Sequence, residues 1–207
     1  MELLLIRHGL PVRVESVDGP AAPELSSAGR AQSEHMAAYL RTERIDAIYT
    51  SPLRRASETA EPLARVLGLT PILEPDVAEF DRDAPDYVPI EELKATGDPR
   101  FHEFTSGVAI GFEDRIAFAD RVLAALDRII DTNPGRTVAV VCHGGVINVF
   151  LASVLGLVLD GPGFFYPNYT SIHRVAASRA GVRSVITLNE TSHLRNTGLP
   201  MGLFQKG

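Results

Sequence analysis

The chain of 207 residues has a single cysteine, Cys142, which excludes an internal disulfide and any zinc site built from cysteines. It has no apolar run approaching the length of a membrane span. The Leu3-Leu4-Leu5-Ile6 run is too short for a signal-peptide core and is ended by Arg7. The expectation is a soluble, cytoplasmic protein with no membrane partner. Basic residues are scarce: 20 Lys and Arg against 26 Asp and Glu leave a net charge of −6, so the surface as a whole repels nucleic acid. Any anion must be captured by a local cluster of Arg and His. Walker-type Gly-x-x-x-x-Gly-Lys and zinc-binding His-Glu-x-x-His motifs do not occur. Repeats, low-complexity tracts and interdomain linkers are also lacking. The length and the 45% hydrophobic content suit one domain over residues 1–207 with room for a small inserted cap.

What is present centres on two histidines in the same setting. Leu3-Leu4-Leu5-Ile6 runs into Arg7-His8-Gly9, and Thr137-Val138-Ala139-Val140-Val141-Cys142 runs into His143-Gly144-Gly145. Continuous apolar runs of this length resemble strands buried on both faces, as in parallel sheets. Polar groups at their ends fall on the carboxyl edge, where open α/β folds bind ligands. A capped core histidine is the alternative reading for each one taken alone.

Strand and helix patterns alternate along the chain. Ser26 or Ser27 can cap a helix reaching about residue 42, with apolar contacts from Met36, Ala37, Tyr39 and Leu40. Residues 45–50 alternate like a short strand. Ser51-Pro52-Leu53-Arg54-Arg55 then turns into a helix carrying Ala56, Ala60, Leu63, Ala64 and Leu67, which Gly68 stops before a strand at residues 70–73. Residues 79–111 show no sustained period, and a cap or lid at about 80–111 is their expected use. A long helix follows with Ile116, Ala119, Val122, Leu123, Leu126, Ile129 and Ile130 as its apolar stripe, ended by Asn133-Pro134-Gly135. Another helix is expected at about 146–157, and residues 171–176 and 182–189 read as a strand pair joined near Gly181. The pattern predicts an α/β fold, a three-layer α/β/α sandwich around a mostly parallel sheet.

The chemistry of these residues suits phosphoryl transfer. Arg7 sets a fixed cation beside His8, and Gly9 allows backbone amides close to a bound anion. An imidazole accepts a phosphoryl group only while neutral, and neighbouring Arg7 and Arg55 disfavour a charge on His8. Arg55 combines a guanidinium with a helix start, whereas Arg54 reads as a solvated surface residue. His143, with Gly144, Gly145 and a helix N-terminus, supplies a second donor cluster.

Four blocks in order resemble the histidine phosphatase superfamily, which is similar to phosphoglycerate mutase. They are Arg7-His8-Gly9; Leu25-Ser26 with Gly29 and Gln32; Ser51-Pro52-Leu53-Arg54-Arg55-Ala56 with Thr59-Ala60; and His143-Gly144-Gly145. The resemblance implies that His8 is a nucleophile forming a phosphohistidine. It further implies that Arg7, Arg55, His143 and Gly144 bind the phosphoryl group and that Glu79 is the proton donor, with Asp81 in reserve. Glu74 and Asp76 read as loop charges. Many members carry a Thr two residues after the motif Gly and an Asn shortly after it, where this chain has Pro11 and Val14. Arg13 could replace a lost phosphate contact, although an exposed loop residue is the simpler reading.

The resulting expectation is a metal-independent histidine acid phosphatase-like hydrolase of a small phosphorylated metabolite, needing no cofactor; a homodimer is compatible with it. Phosphoglycerate mutase-type transfer is an alternative, disfavoured by the short insertion and tail. A low-turnover phospho-ligand binding protein on the same fold is another. A cysteine phosphatase would need an Arg where Asn148 stands, so Cys142 reads as a buried strand residue. A metallohydrolase using His8 and His143 would place Arg7 and Arg55 unfavourably beside a dication. His35, His102, His173 and His193 carry no motif and are expected to be surface or structural.

Overall fold

A computed structural model describes residues 1–15, 18–106, 113–158, 163–204 and 207. Its central sheet is built around β1 (Glu2–Arg7) and β6 (Thr137–Cys142), two apolar strands paired in parallel and buried on both faces. β3 (Ala47–Thr50) lies parallel on the far side of β6, with the short β4 (Ile72–Leu73) parallel outside it. On the other side of β1, β7 (Ile172–Ala177) and β8 (Arg183–Glu190) run antiparallel, giving a six-stranded sheet in the order β4-β3-β6-β1-β7-β8.

Side-chain alternation along β1 divides the core into two layers. Leu3 and Leu5 face α5 (Arg115–Thr132) and α6 (Gly144–Leu155), packing with Val122, Leu126, Ile129, Ile147 and Phe150. Leu4 and Ile6 face α1 (Ser27–Leu40) and α2 (Arg54–Leu67), packing with Met36, Leu40, Ala60 and Leu63. This is the expected α/β sandwich with a mostly parallel sheet. Ser26 caps α1 by accepting the Gly29 amide, and Gly68 ends α2 in the left-handed region at φ 66.

Several expected positions shift. Tyr39 is 39% exposed and bonds Glu190, so it does not join the α1 core face. Ile116 is 72% exposed at the first turn of α5, while Phe118 is buried. Val122, Leu126, Ile129 and Ile130 of the expected stripe are buried and Ala119 and Leu123 pack against the same core, while Phe118 and Ala125 join it in place of Ile116. β4 is an exposed edge strand of two residues, not four.

The expected lid contains β5 (Asp86–Tyr87), α3 (Ile90–Thr96) and α4 (Pro99–Ser106) in its described part; positions 107–111 lie outside the described residues. Helices of 7 and 8 residues are about two turns each, too short to show a 3.6-residue period. β5 pairs antiparallel with β2 (Val14–Glu15), tying the cap to the loop that follows His8. Val14, a departure from the common family pattern, is thereby the partner of Tyr87.

Gly9 and Gly29 are required by close approach. A Cβ at Gly29 would lie 2.1 Å from the Leu10 carbonyl oxygen, and one at Gly9 would lie 2.7 Å from the Gly29 carbonyl oxygen. Because both obstacles are backbone, Gly29→Ala should destabilise the protein by about 1–3 kcal/mol, the cost of overpacking a well-packed site. Urea denaturation reads this directly, and an unchanged midpoint would refute the close-approach account.

Candidate functional site

The register of the parallel ladder sets the site. Arg7 pairs with Cys142, so His8 and His143 emerge side by side at the carboxyl edge, their ring centroids 5.1 Å apart. Thr50 lies opposite Val141, which puts Ser51 next to His143, whose Nε2 is 2.8 Å from Ser51 Oγ. Arg55 sits in the first turn of α2, immediately after that edge. The helices starting here, α2 and α6, receive no side-chain cap bond from their N-cap residues Leu53 and His143, whereas α5 is capped by Asp114.

The His8 ring is oriented by its neighbour: Nδ1 lies 2.7 Å from the Gly9 carbonyl oxygen. A carbonyl can only accept, so Nδ1 carries the proton and Nε2 of the neutral ring keeps its lone pair. Burial, followed by the charges of Arg55 and Arg7, holds His8 well below the usual histidine range. His143, fully buried, is lowered by burial first and then by Arg55, His8 and Arg7.

The two arginines differ in their neighbours. Arg55 donates from Nη2 to Asp81 at 2.7 Å and lies 4.7 Å from the Tyr87 ring centre. Arg7 has no carboxylate partner among the described residues. Its Nη1 donates to the Pro167 carbonyl at 2.6 Å, and its guanidinium lies between the rings of Tyr169 and Tyr166, 4.2 and 5.0 Å from their centres. Glu91 on α3 receives both tyrosine hydroxyls, Tyr166 at 2.7 Å and Tyr169 at 2.9 Å. Among the described residues, four buried side-chain polar atoms lack a partner. Three are Arg7 Nε, Arg55 Nε and His143 Nδ1; the fourth is His193 Nδ1.

Glu79 is buried below the start of α6, where its Oε2 accepts the Gly145 amide at 2.7 Å. A Cβ at Gly145 would come within 2.3 Å of Glu79 Oε1, so a larger residue would push the carboxyl aside. Burial, followed by the charge of Asp81, pushes Glu79 up to about 7. Arg7, His8, Arg55, Glu79 and Gly144 line one cavity of about 220 Å³, with His143 fully buried beside His8. All the expected site residues are thus brought together.

Two expectations about backbone donors change. The Gly9 amide is spent on Thr59 Oγ1 at 2.9 Å and the Gly145 amide on Glu79, so neither is free for an anion. Thr59, Gln32 and Gly29 of the sequence motifs support the loop after His8: Leu10 donates to Gln32 Oε1 at 2.8 Å, and Thr59 Oγ1 donates to the Arg55 carbonyl. Arg13 is an exposed residue paired with Glu15, and Arg54 is exposed and paired with Glu58 and Glu24. Glu74 and Asp76 pair with Arg128. Cys142 is a buried strand residue whose thiol burial pushes up. His35 and His102 are exposed, while His173 and His193 are buried structural groups lowered to about 3 and about 4 chiefly by burial.

Residues 3–191 match the model of the histidine phosphatase superfamily, branch 1. The chain belongs to this superfamily. A bifunctional protein of Mycobacterium tuberculosis is 34% identical over 93% of this chain, which spans about half (54%) of that relative's length. Phosphoserine phosphatase 1 of Hydrogenobacter thermophilus is 28% identical over 94% of both chains. A mycobacterial glucosyl-3-phosphoglycerate phosphatase shares the fold with a TM-score of 0.72 at 21% identity, over 92% of this chain and 99% of that one. Tyr87, Glu91, Tyr166 and Tyr169 carried no signal in the sequence, because each reaches the histidine phosphatase motifs from a distant segment. Tyr87 and Glu91 lie tens of residues from Tyr166 and Tyr169, which left nothing periodic to read.

The raised Glu79 carboxyl carries a stability consequence. Its proton is held more tightly in the folded state than at the ordinary 4.5, so its contribution is full below about 4.5 and is lost as pH rises through about 7. Glu79→Gln should therefore gain thermal stability relative to the parent between pH 5 and pH 8. A pH-independent difference in melting temperature would show that Glu79 is not buried as a neutral acid.

Proposed function

We propose that the protein is a phosphomonoester hydrolase working through a phosphohistidine on His8, without a metal or cofactor, on a small phosphorylated metabolite. The observation that carries this reading is the set of buried, unpartnered donors on Arg7, Arg55 and His143 around a ring whose Nε2 lone pair is free. Buried donors without partners are costly, and a phosphoryl group's oxygens would satisfy all three. The hydrolase names of relatives such as the Hydrogenobacter phosphoserine phosphatase support the same reaction class.

In this mechanism His8 Nε2 attacks phosphorus while the ester P–O bond breaks toward the alcohol oxygen. The Gly9 carbonyl steadies the charge that develops on the ring through the Nδ1 proton. The leaving alkoxide takes the proton of Glu79. Ionised Glu79 then takes a proton from water as its oxygen attacks phosphorus, the P–N bond breaks, and inorganic phosphate leaves with His8 restored. A carboxyl near 7 suits both halves of this cycle. Asp81 is better read as the counter-ion of Arg55, whose Nη2 lies 2.7 Å from its carboxylate. Ser51 Oγ already accepts the Leu53 amide, so its own proton is available to His143 Nε2, leaving His143 Nδ1 as the donor to phosphoryl oxygen.

Two measurements test these roles. With a labelled phosphomonoester and excess chelator, rapid quenching should trap an alkali-stable, acid-labile phosphoenzyme on His8. His8→Ala should form none, and His143→Ala should form it about 10²–10³ times more slowly, the usual cost of one oxyanion donor. Label on His143, or an absolute need for a divalent ion, would overturn the scheme. Hydrolysis of alkyl phosphates should decline as pH rises through about 7, where Glu79 loses its proton. Glu79→Gln should impair alkyl phosphates far more than nitrophenyl phosphate, whose leaving group needs little protonation. Equal losses would reassign the proton donor.

A further inference from the structure

Beyond the phosphoryl end, the cavity wall is assembled from three separate segments: Phe80 after Glu79, Tyr87, Val88, Ile90 and Leu93 from the cap, and Phe165 ahead of β7. We propose that this wall receives an uncharged, predominantly apolar alcohol, so that the substrate is the phosphomonoester of such an alcohol and not a phosphate bearing a second anionic group. The inference rests on the phosphomonoesterase reading above and narrows it.

The charges of the wall carry the argument. Among the described residues, the cations lining the cavity are Arg7, Arg55 and Arg100. Arg7 and Arg55 belong to the phosphoryl end. Arg100 is committed to two carboxylates: Nη1 donates to Asp86 at 3.0 Å, and Nε and Nη2 donate to Asp98 at 3.0 and 2.7 Å. That trio is net negative and would repel a second carboxylate or phosphate.

Two polar side chains of the wall, Asn148 and Tyr166, are likewise engaged within the protein. Asn148 Nδ2 donates to the carbonyls of Gly144 at 2.9 Å and Phe165 at 3.1 Å, and its Oδ1 accepts the Phe164 amide at 3.0 Å. Tyr166 donates its hydroxyl to Glu91. An apolar cavity of about 150 Å³ accommodates benzene. A cavity of about 220 Å³ therefore has room for a phosphoryl group and about one ring or a short chain between its walls.

The test is kcat/KM for ethyl, propyl, butyl and benzyl phosphate beside O-phosphoserine and 3-phosphoglycerate. Propyl phosphate is O-phosphoserine with a methyl group in place of its carboxylate and a hydrogen in place of its ammonium. The expected result is a rise of roughly three- to fourfold per methylene along the alkyl series, good turnover of benzyl phosphate, and O-phosphoserine at least about tenfold below propyl phosphate. A flat series, or a preference for O-phosphoserine or 3-phosphoglycerate, would overturn the inference while leaving phosphomonoester hydrolysis in place. Turnover of none of the six by folded protein would remove the hydrolase reading and the inference with it. Ile90→Lys, at a half-buried wall position, should move the ratio toward 3-phosphoglycerate. Should this variant fail to fold, the parent series decides alone.

Discussion

Parallel pairing of β1 with β6 determines where every other part of the site can be. The ladder places Arg7 opposite Cys142, and the His8 amide extends the pairing with a bond of 3.0 Å to the Cys142 carbonyl. A slip of one residue would turn each side chain to the opposite face, moving Leu3 and Leu5 out of one helical layer and separating the histidines. Because both strands are buried on both faces, the two core layers hold the register from either side. The antiparallel strand β7 adds a second anchor: Arg7 donates its amide to Ser171 at 3.1 Å, and Thr170 does so to the His8 carbonyl at 3.4 Å. Thr170 holds φ at 52, a strained backbone for a β-branched residue, immediately beside His8.

The electrostatics of the site follow from burial. A buried guanidinium with no carboxylate partner is costly, yet Arg7 is retained between two tyrosine rings and a carbonyl. Desolvation, together with the same positive field, favours the neutral form of both histidines, as the roles proposed for them require. Glu79, a short distance away at the start of α6, is pushed toward its protonated form because burial outweighs the amide bonds it accepts. One buried environment thus favours neutral histidine and neutral carboxyl at the same pH.

Much of this arrangement was legible before any coordinates. His8 and His143 ended apolar runs, Arg7 adjoined one of them, and Ser51-Pro52-Leu53-Arg54-Arg55 marked a turn into a helix. Each is a contiguous signal of a few residues, and strand burial makes such signals strong. Gly9 is different: the motif suggests amides open to an anion, but close packing against Gly29 and the bond to Thr59 explain the glycine. The cap escaped periodic reading because its helices are short and held by tertiary contacts such as the β2–β5 pair. The stripe of α5 was misplaced at Ile116 because which face of a helix turns inward depends on what packs against it.

By itself the sequence determined the α/β architecture, the strand ends that carry the histidines and the residue types gathered there, since local apolar pattern and motif order suffice for these. Only the tertiary structure decided which tautomer His8 adopts, that Arg55 is countered by Asp81 while Arg7 meets no carboxylate among the described residues, and that Glu91 joins the cap to the tyrosines around Arg7. Those facts depend on contacts between residues far apart in the chain, which neither spacing nor composition encodes. The apolar wall opposite the phosphoryl end is of the same kind: three separate segments build it, and it exists only once the chain has folded.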